Sequence, residues 1–267
     1  MPRTIHADAA IDREILAAFA EGLADLAAPV ATRWFRHPLD IDLKSDNSPV
    51  TAADRAVEAE IRAAIAARWP QHGILGEEQG RERLDAEVVW VVDPIDGTRS
   101  FITGYPLWGT LIAAAVKGVP EVGVISMAAL GERWVGRRGG GALFQGRPCR
   151  TRDCRTLAEA RLFTTSPYYF TKEERAAFEA LMPRVHTTRF NGDCYNYGLL
   201  ASGHIDLVVE CRLEPFDYCA LVPVVEGAGG VMTDWEGRPL GFESDGRVIA
   251  AATPQLHAEA MRAMGLS

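Results

Sequence analysis

Several classes of protein are excluded by what this sequence lacks. Its five cysteines include no CxxC pair, and their odd number does not suit a closed disulfide framework, so we expect reduced thiols and no zinc site. No run of 18 consecutive apolar residues occurs, and the N-terminal segment has no apolar core of a signal peptide. These absences predict a cytoplasmic protein that does not act in a membrane.

An excess of positive charge is also missing. The 28 basic residues are outnumbered by 36 acidic ones, which gives a formal net charge of −8. A nucleic acid is therefore not an expected partner, and the acidic residues instead suit the binding of cations. In other respects the 267 residues, 48% hydrophobic and 24% charged, have the composition of an ordinary globular chain.

The apolar pattern predicts mixed α/β layers in a single domain, 1–267, with no repeat and no low-complexity linker. A seam rich in glycine, arginine and proline near residues 137–155 suggests two closely packed halves, 1–145 and 146–267. We expect helices over residues 8–31, 51–69, from Thr171 to about 181, and 254–264, and strands over 88–92, 107–116, 121–127, 133–136, 204–210 and 248–252.

Two aspartates stand out at the end of a strand-like apolar run, in the segment WVVDPIDGTRSF. Asp93 and Asp96 follow that run, at the end of a strand where α/β proteins tend to bind ligands. Pro94 restricts the backbone between them, and Gly97 permits a tight turn. If a helix begins near Gly97, the free N–H groups of Gly97 and Thr98 suit a phosphate. The alternative is a simple turn in which Asp96 caps that helix.

Further acids lie in other segments of the chain. Glu77 lies in a glycine-flanked loop before the strand, Asp54 in the first turns of the second helix, and Asp217 before an apolar segment. Taken singly, Glu77 fits a solvated loop and Asp217 fits a helix N-cap. If the acids converged, two like charges about 4 Å apart would cost about 4 kcal/mol at an effective dielectric constant of about 20. Convergence therefore requires bound cations.

All-oxygen ligands point to Mg²⁺, Mn²⁺ or Ca²⁺ rather than zinc or copper. The sequence contains no EF-hand loop. Paired hard cations beside a phosphate-sized helix N-terminus suggest hydrolysis of a phosphate ester by an activated water. Phosphatases that form an aspartyl phosphate resemble one another in a DxDGT motif, and here Pro94 stands where their nucleophile would be. That class is therefore rejected.

Three separate motifs, in order, resemble the lithium-sensitive, Mg²⁺-dependent inositol monophosphatase superfamily. They are GEE at 76–78, DPIDGT at 93–98, and Asp217 followed by Gly229-Gly230, with NSPVTAAD before them. The resemblance covers most of residues 44–230. One departure is Phe216 where the family often has tryptophan, and Pro223 is expected to kink or delay the helix that follows.

The resemblance implies a layered αβαβα sandwich of the inositol monophosphatase/fructose-bisphosphatase type, commonly dimeric. It implies two or three Mg²⁺ ions, replaceable by Mn²⁺, in the first half, and substrate recognition in the second. The implied metal ligands are the side chains of Glu77, Asp93, Asp96 and Asp217 and the carbonyl of Ile95. Thr98, helped by Asp54 and Glu77, would orient and deprotonate water. The N–H groups of Gly97 and Thr98 would receive phosphate oxygens, and no covalent phosphoenzyme is expected.

Within the superfamily, the chain is most similar to the histidinol-phosphate phosphatase branch of histidine biosynthesis. Inositol-specific members usually have Thr-Asn or Ser-Asn where this chain has Arg99-Ser100. A substrate that carries an ammonium and an imidazole needs acids beyond the metal ligands. Asp193, Glu210, Arg189 and Asp217 are the predicted substrate contacts. Each of three contacts has an alternative. Asp193 could instead cap a helix, and Glu210 could accept a hydrogen bond from a sugar hydroxyl. Arg189 could be an ordinary surface arginine.

Two other functions remain open at this point. One is an inositol-1-monophosphatase or a broad-specificity sugar or nucleotide phosphatase of the same superfamily. The other is a non-catalytic module that senses metal or phosphate. The second would predict the loss of at least one metal ligand or of Thr98 or Asp54, and the sequence retains all of them.

Overall fold

The computed structural model describes residues 12–38, 41–43 and 49–266. The helices in this part of the chain are α1 (Arg13–Trp34), α2 (Ala52–Arg68), α3 (Thr98–Ile102), α4 (Lys172–Glu179), α5 (Tyr195–Ala201), α6 (Pro215–Tyr218), α7 (Leu221–Gly227) and α8 (Pro254–Ala263). The strands are β1 (Ile41–Leu43), β2 (Pro49–Thr51), β3 (Gly73–Gly76), β4 (Gly80–Glu82), β5 (Val88–Asp96), β6 (Gly109–Val116), β7 (Val119–Met127), β8 (Glu132–Arg137), β9 (Gly141–Phe144), β10 (Arg147–Cys149), β11 (Arg161–Thr164), β12 (Thr187–Phe190), β13 (Leu207–Glu210), β14 (Val231–Thr233) and β15 (Val248–Ala251).

Two sheets alternate with three layers of helices. The larger sheet has eight strands in the order β10-β9-β8-β7-β6-β5-β3-β4, and the smaller has five in the order β12-β11-β13-β15-β14. α1 and α2 cover the outer face of the larger sheet, and α5 and α7 fill the space between the two sheets. α4 and α8 pack with the apolar cluster on the far side of the smaller sheet. This arrangement confirms the predicted αβαβα sandwich.

The first helix begins later and ends later than predicted. Asp12 is its N-cap and accepts from the backbone N–H of Glu14 at 2.9 Å, so the helix begins at Arg13. The predicted positions 8–11 lie outside the described residues. By length and hydropathy α1 could also span a membrane. However, Leu16 and Leu23 are buried, and the helix contacts α2, β6 and β7, as a core helix does.

The second helix agrees with its prediction to within one residue at each end. Thr51 is the N-cap and forms a capping box with Asp54. Val57, Ile61 and Ile65 lie four residues apart on one face, and all three are fully buried against the larger sheet. The spacing of apolar residues was therefore sufficient to place this helix.

The segment after Asp217 forms two short helices with a break between them. α6 ends at Tyr218, and α7 begins at Leu221, so Pro223 lies in the first turn of α7. The missing N–H of proline costs little in a first turn, because that group has no partner within the helix there. α7 packs closely on the larger sheet: a Cβ added at Gly136 would lie 2.2 Å from the Pro223 carbonyl oxygen.

Most predicted strands are present with shifted ends, and several short strands were not predicted. β5 is longer than the predicted 88–92, because it continues through the DPID segment with a register shift between Asp93 and Asp96. The short strands β3, β4, β9, β10, β11, β12 and β14 have only three or four residues each and lack a clear periodic signal. β10 of the larger sheet lies beyond residue 145, and the division into two halves stays a prediction.

Candidate active site

The extension of β5 brings the DPID segment to the centre of the site. The Asp93 carboxylate accepts from the backbone N–H of Ile95 at 2.9 Å, which closes a tight turn over Pro94. Thr110 on β6 donates to the Pro94 carbonyl at 2.9 Å, and the Thr98 hydroxyl donates to the Ile95 carbonyl at 3.1 Å. The turn is therefore held from both sides, and the predicted ligand Ile95 lies next to Thr98.

Gly97 directs the chain from this turn into α3. It has a left-handed backbone with φ of 81° and serves as the N-cap of α3, so the predicted helix start is confirmed. The side chain of Asp96 accepts from the Cys194 N–H at 2.7 Å, so its carboxylate is oriented by a distant part of the chain.

Three of the predicted metal ligands form a compact cluster. Carboxylate oxygens of Asp93, Asp96 and Asp217 lie within 4.8 Å of one another. Asp217 comes from α6, where its other contact is the Glu214 N–H at 2.7 Å. Asp93 is buried, whereas the other two are partly exposed. Residues more than 120 positions apart in sequence thus converge as predicted.

The electrostatics of this cluster suit a divalent cation. Burial, followed by the charge of Glu77, raises the pKa of Asp93. Burial also raises the pKa of Asp96 to about 6, and burial and the charge of Asp96 raise the pKa of Asp217. Each shift reflects carboxylates that repel one another in a poorly solvated site. A hard cation bound by these oxygen donors would reverse that penalty, so the donor set fits Mg²⁺.

Glu77 reaches the same cluster from the loop after β3. Its backbone N–H donates to the Val92 carbonyl at 3.2 Å, which continues the pairing of β3 with β5. The charge of its side chain contributes to the raised pKa of Asp93, and Glu77 lines the same cavity as Asp96 and Asp217. All four side-chain metal ligands implied by the resemblance are therefore brought together, and their roles as ligands stay a prediction.

Asp54 is buried at the start of α2. One of its oxygens, Oδ2, accepts from the Thr51 N–H at 2.8 Å and from the Thr51 hydroxyl at 2.6 Å. The other, Oδ1, is buried with no hydrogen-bond partner among the described residues. Burial raises the pKa of Asp54, and the charge of Glu77 adds to this shift. A buried oxygen without a partner requires an explanation, and the catalytic role of Asp54 stays a prediction.

A cavity of about 320 Å³ opens over the cluster. Acids of the carboxylate cluster and residues from both halves of the chain line it. The lining residues are Glu77, Asp96, Gly97, Thr98, Arg99, Thr165, Tyr169, Asp193, Cys194, Tyr197, Glu210, Cys211, Arg212, Leu213, Asp217 and Leu221. Its volume matches that of a pocket for a small molecule.

Asp193 lines this cavity in a strained turn before α5. Asn191, Gly192 and Asp193 have successive positive φ values of 77°, 125° and 47°, a conformation that residues other than glycine seldom adopt. The side chain of Asp193 accepts from the Ser100 hydroxyl at 3.1 Å. α5 has Cys194 as its N-cap, without a side-chain capping bond from the described residues. Helix capping therefore does not explain Asp193.

Glu210 is buried at the end of β13 and also lines the cavity. It accepts from the Thr164 hydroxyl at 3.1 Å, and from the N–H and hydroxyl of Thr165 at 2.7 and 2.8 Å. Burial raises its pKa to about 7, although these hydrogen bonds act in the other direction. Glu210 thus has a fixed orientation and borders the cavity.

Arg189 is not brought to the cavity. It lies on the exposed edge strand β12 and is not among the residues that line the cavity in the described part of the chain. Arg99, Tyr169 and Thr165 do line the cavity, although they were not predicted as site residues. Only Arg99, directly after the DPIDGT motif, carried a signal that could have identified it.

Comparison with known proteins gives the same family as the motifs. The profile of the inositol monophosphatase family matches residues 12–265. The bifunctional phosphatase IMPL2 of Arabidopsis thaliana is 42% identical over 266 residues, which cover 96% of this chain and 76% of the relative. A histidinol-phosphatase of Chlorobaculum parvum is 37% identical over 230 residues, which cover 85% of this chain and 89% of the relative.

Solved structures agree with this result. An inositol monophosphatase from Zymomonas mobilis superposes with a TM-score of 0.87 and 48% sequence identity, covering 94% of this chain and 98% of the other. The inositol monophosphatase from Anabaena superposes with a TM-score of 0.83 and 30% sequence identity, and the superposition covers 94% of this chain and 96% of the other. The similarity extends over nearly the whole chain.

Proposed function

The chain belongs to the inositol monophosphatase family of metal-dependent phosphomonoesterases, and we propose that its own substrate is L-histidinol phosphate. The products would be L-histidinol and inorganic phosphate, a step of histidine biosynthesis. Two relatives support the proposal: a histidinol-phosphatase and a bifunctional phosphatase, which is the more similar of the two. We further propose a cytoplasmic homodimer that uses two or three Mg²⁺ ions, for which Mn²⁺ can substitute.

The metal ions would be held by Asp93, Asp96, Asp217, Glu77 and the Ile95 carbonyl. When bound, they supply Lewis-acid stabilisation of the phosphate and a hydroxide-like nucleophile near neutral pH.

The remaining chemistry belongs to side chains of this chain. The Thr98 hydroxyl donates its proton to the Ile95 carbonyl, which leaves its oxygen free to accept from a water and to orient it. Asp54 Oδ1 would take the proton that the water gives up. The N–H groups of Gly97 and Thr98 would receive phosphate oxygens.

The observation that carries the substrate assignment is Asp193. It is an acid outside the metal cluster that faces the cavity, is held by Ser100 and does not cap α5. Histidinol phosphate has an ammonium and an imidazole, and a carboxylate beside them would form a charge-assisted hydrogen bond. Glu210 supplies a second acid in the lining of the same cavity. A neutral polyol phosphate would leave Asp193 without a partner of opposite charge.

A substrate panel tests this assignment. The purified protein would be assayed in Mg²⁺ with histidinol phosphate, inositol 1-phosphate, fructose 1,6-bisphosphate and 3′-phosphoadenosine 5′-phosphate. We expect the highest kcat/KM for histidinol phosphate. A clear preference for inositol 1-phosphate would refute the substrate assignment and leave the phosphomonoesterase class intact.

A second candidate is inositol-1-monophosphatase activity or a broader specificity for sugar and nucleotide phosphates. It is favoured by the 48% identity to the Zymomonas mobilis inositol monophosphatase. Glu210 would then accept a hydrogen bond from a sugar hydroxyl. A non-catalytic module that senses metal or phosphate is the third reading, and metal binding without phosphate release from any ester in the panel would support it.

A further inference from the structure

A fully buried carboxylate on α2 lies behind the loop that carries Glu77. Glu58 has 0% of its surface exposed. Its Oε2 accepts from the backbone N–H of Glu78 at 2.7 Å, and its Oε1 accepts from the N–H of Gln79 at 3.0 Å. A buried charge is costly unless it is paired and hydrogen-bonded, and the two N–H groups of this loop meet part of that cost.

Arg62 completes the arrangement one helical turn further along α2. Its Nε donates to Glu58 Oε1 at 2.7 Å, and its guanidinium also contacts the Gly80 carbonyl and, at 3.1 Å, Glu82. The planar guanidinium thus joins the buried carboxylate to the far end of the same loop. Both ends of the segment 78–80 are therefore fixed to α2.

This arrangement fixes the position of Glu77 from both sides. Its own N–H is held by the Val92 carbonyl, next to the metal cluster, and the following two N–H groups are held by Glu58. The fit is close: a Cβ added at Gly76 would lie 2.2 Å from Glu58 Oε1. Little freedom remains for the Glu77 backbone while Glu58 is in place.

We propose that Glu58, oriented by Arg62, is a positioning residue that sets Glu77 for cation binding. The inference rests on the metal site of the proposed function, and it is independent of which phosphate ester is the substrate. Glu58 acts through the backbone of the loop, as residues behind metal ligands commonly do.

The chain offers a matched control in its second half. Asp206 is also fully buried, accepts from the Arg161 N–H at 2.9 Å, and is bound by both Arg152 Nε and a terminal nitrogen of Arg152 at 2.8 Å. It repeats the chemistry of a buried acid, an arginine and a backbone N–H, but it does not line the cavity within the described chain. Asp206→Asn therefore reports what the loss of such a pair does to stability alone.

The test measures Mn²⁺ binding by electron paramagnetic resonance, without substrate, for the unaltered chain, Glu58→Gln, Arg62→Lys and Asp206→Asn. In Glu58→Gln an NH₂ group replaces one acceptor oxygen and would face a backbone N–H, so one hydrogen bond is lost. In Arg62→Lys the planar set of guanidinium donors is lost. We expect both to weaken Mn²⁺ binding by about 10- to 100-fold, and Asp206→Asn to change it by less than about twofold. Unfolding temperatures are recorded for all four proteins.

Binding in Glu58→Gln and Arg62→Lys within about twofold of the unaltered chain would overturn the inference, as would an equal loss in Asp206→Asn. If Glu58→Gln does not fold, Arg62→Lys decides by the same criterion. Absence of Mn²⁺ binding in the unaltered chain would instead refute the metal site of the proposed function, and the inference with it. The two failures are thus distinguishable.

Discussion

Replacing Asp193 by asparagine is the most direct perturbation of substrate choice. The change keeps the shape of the side chain and an oxygen that can accept from the Ser100 hydroxyl, so the turn before α5 should keep its conformation. It removes one negative charge from the cavity wall. Any substrate held by its positive charge should be affected, and a neutral polyol phosphate should not.

The size of the effect follows from the interaction that is lost. A hydrogen bond to a charged group contributes about 1.5–3 kcal/mol, and each 1.4 kcal/mol is about a factor of ten. We therefore expect kcat/KM for histidinol phosphate to fall about 10- to 100-fold. Burial and the charge of Asp96 raise the pKa of Asp193, but a cation at Asp96 and the ammonium of the substrate both favour the ionised form.

The assay is phosphate release in saturating Mg²⁺, with histidinol phosphate and inositol 1-phosphate compared side by side. The control is Asp153→Asn, which makes the same change in net charge at an exposed position paired with Arg155. For Asp193→Asn we expect the ratio of the two kcat/KM values to shift toward inositol 1-phosphate. An equal loss for both substrates would refute the reasoning, because it would indicate damage to the shared machinery.

The remaining predictions concern the metal cluster and the packing. Asp93→Asn should lower turnover by orders of magnitude, because it removes one proposed metal ligand. The metal-free variant should unfold at an equal or higher temperature, because one repelling charge is gone. Near-normal turnover in a phosphate-release assay would contradict this prediction. In the metal-free protein the raised pKa values of Asp96, about 6, and Glu210, about 7, mean that the folded state holds protons that the unfolded state has lost. Its unfolding temperature should therefore fall as the pH rises from about 4.5 to about 7, and Mg²⁺ should reduce that slope; a flat or rising profile would refute it. Gly123→Ala should lower the free energy of unfolding by about 1–3 kcal/mol in urea, because the added Cβ would lie 2.0 Å from the Ala220 carbonyl oxygen. The control is Gly22→Ala in α1, where the added Cβ would meet open space. That change should be neutral or stabilising.

Local signals in the sequence were enough for the parts of the fold that are determined locally. The capping residue Thr51 and the apolar face of Val57, Ile61 and Ile65 place α2, because both features follow from the helical period. The DPIDGT segment carries its own turn, in which Asp93 accepts from Ile95 two residues on. Elements of this kind require no knowledge of the rest of the chain.

Other features depend on contacts between distant segments and left no local signal. Ser100 and Asp193 are 93 residues apart, and Glu58 contacts a loop about 20 residues away. The short strands of the second half are specified by their neighbours in the sheet rather than by their own composition. Arg189 was predicted from its residue type alone, and tertiary structure places it on an exposed edge strand.

The acids of the site are oriented in two different ways, and the difference bears on how specificity can change. Asp93, Asp96 and Asp217 each accept from a backbone N–H, of Ile95, Cys194 and Glu214 respectively. Every residue except proline supplies such a donor, so the cluster keeps its orientation when a donor residue is replaced by any residue other than proline. Asp193, in contrast, accepts from the Ser100 side chain. A substitution at position 100 can therefore alter Asp193, the acid proposed to contact the substrate, while the proposed metal ligands stay in place.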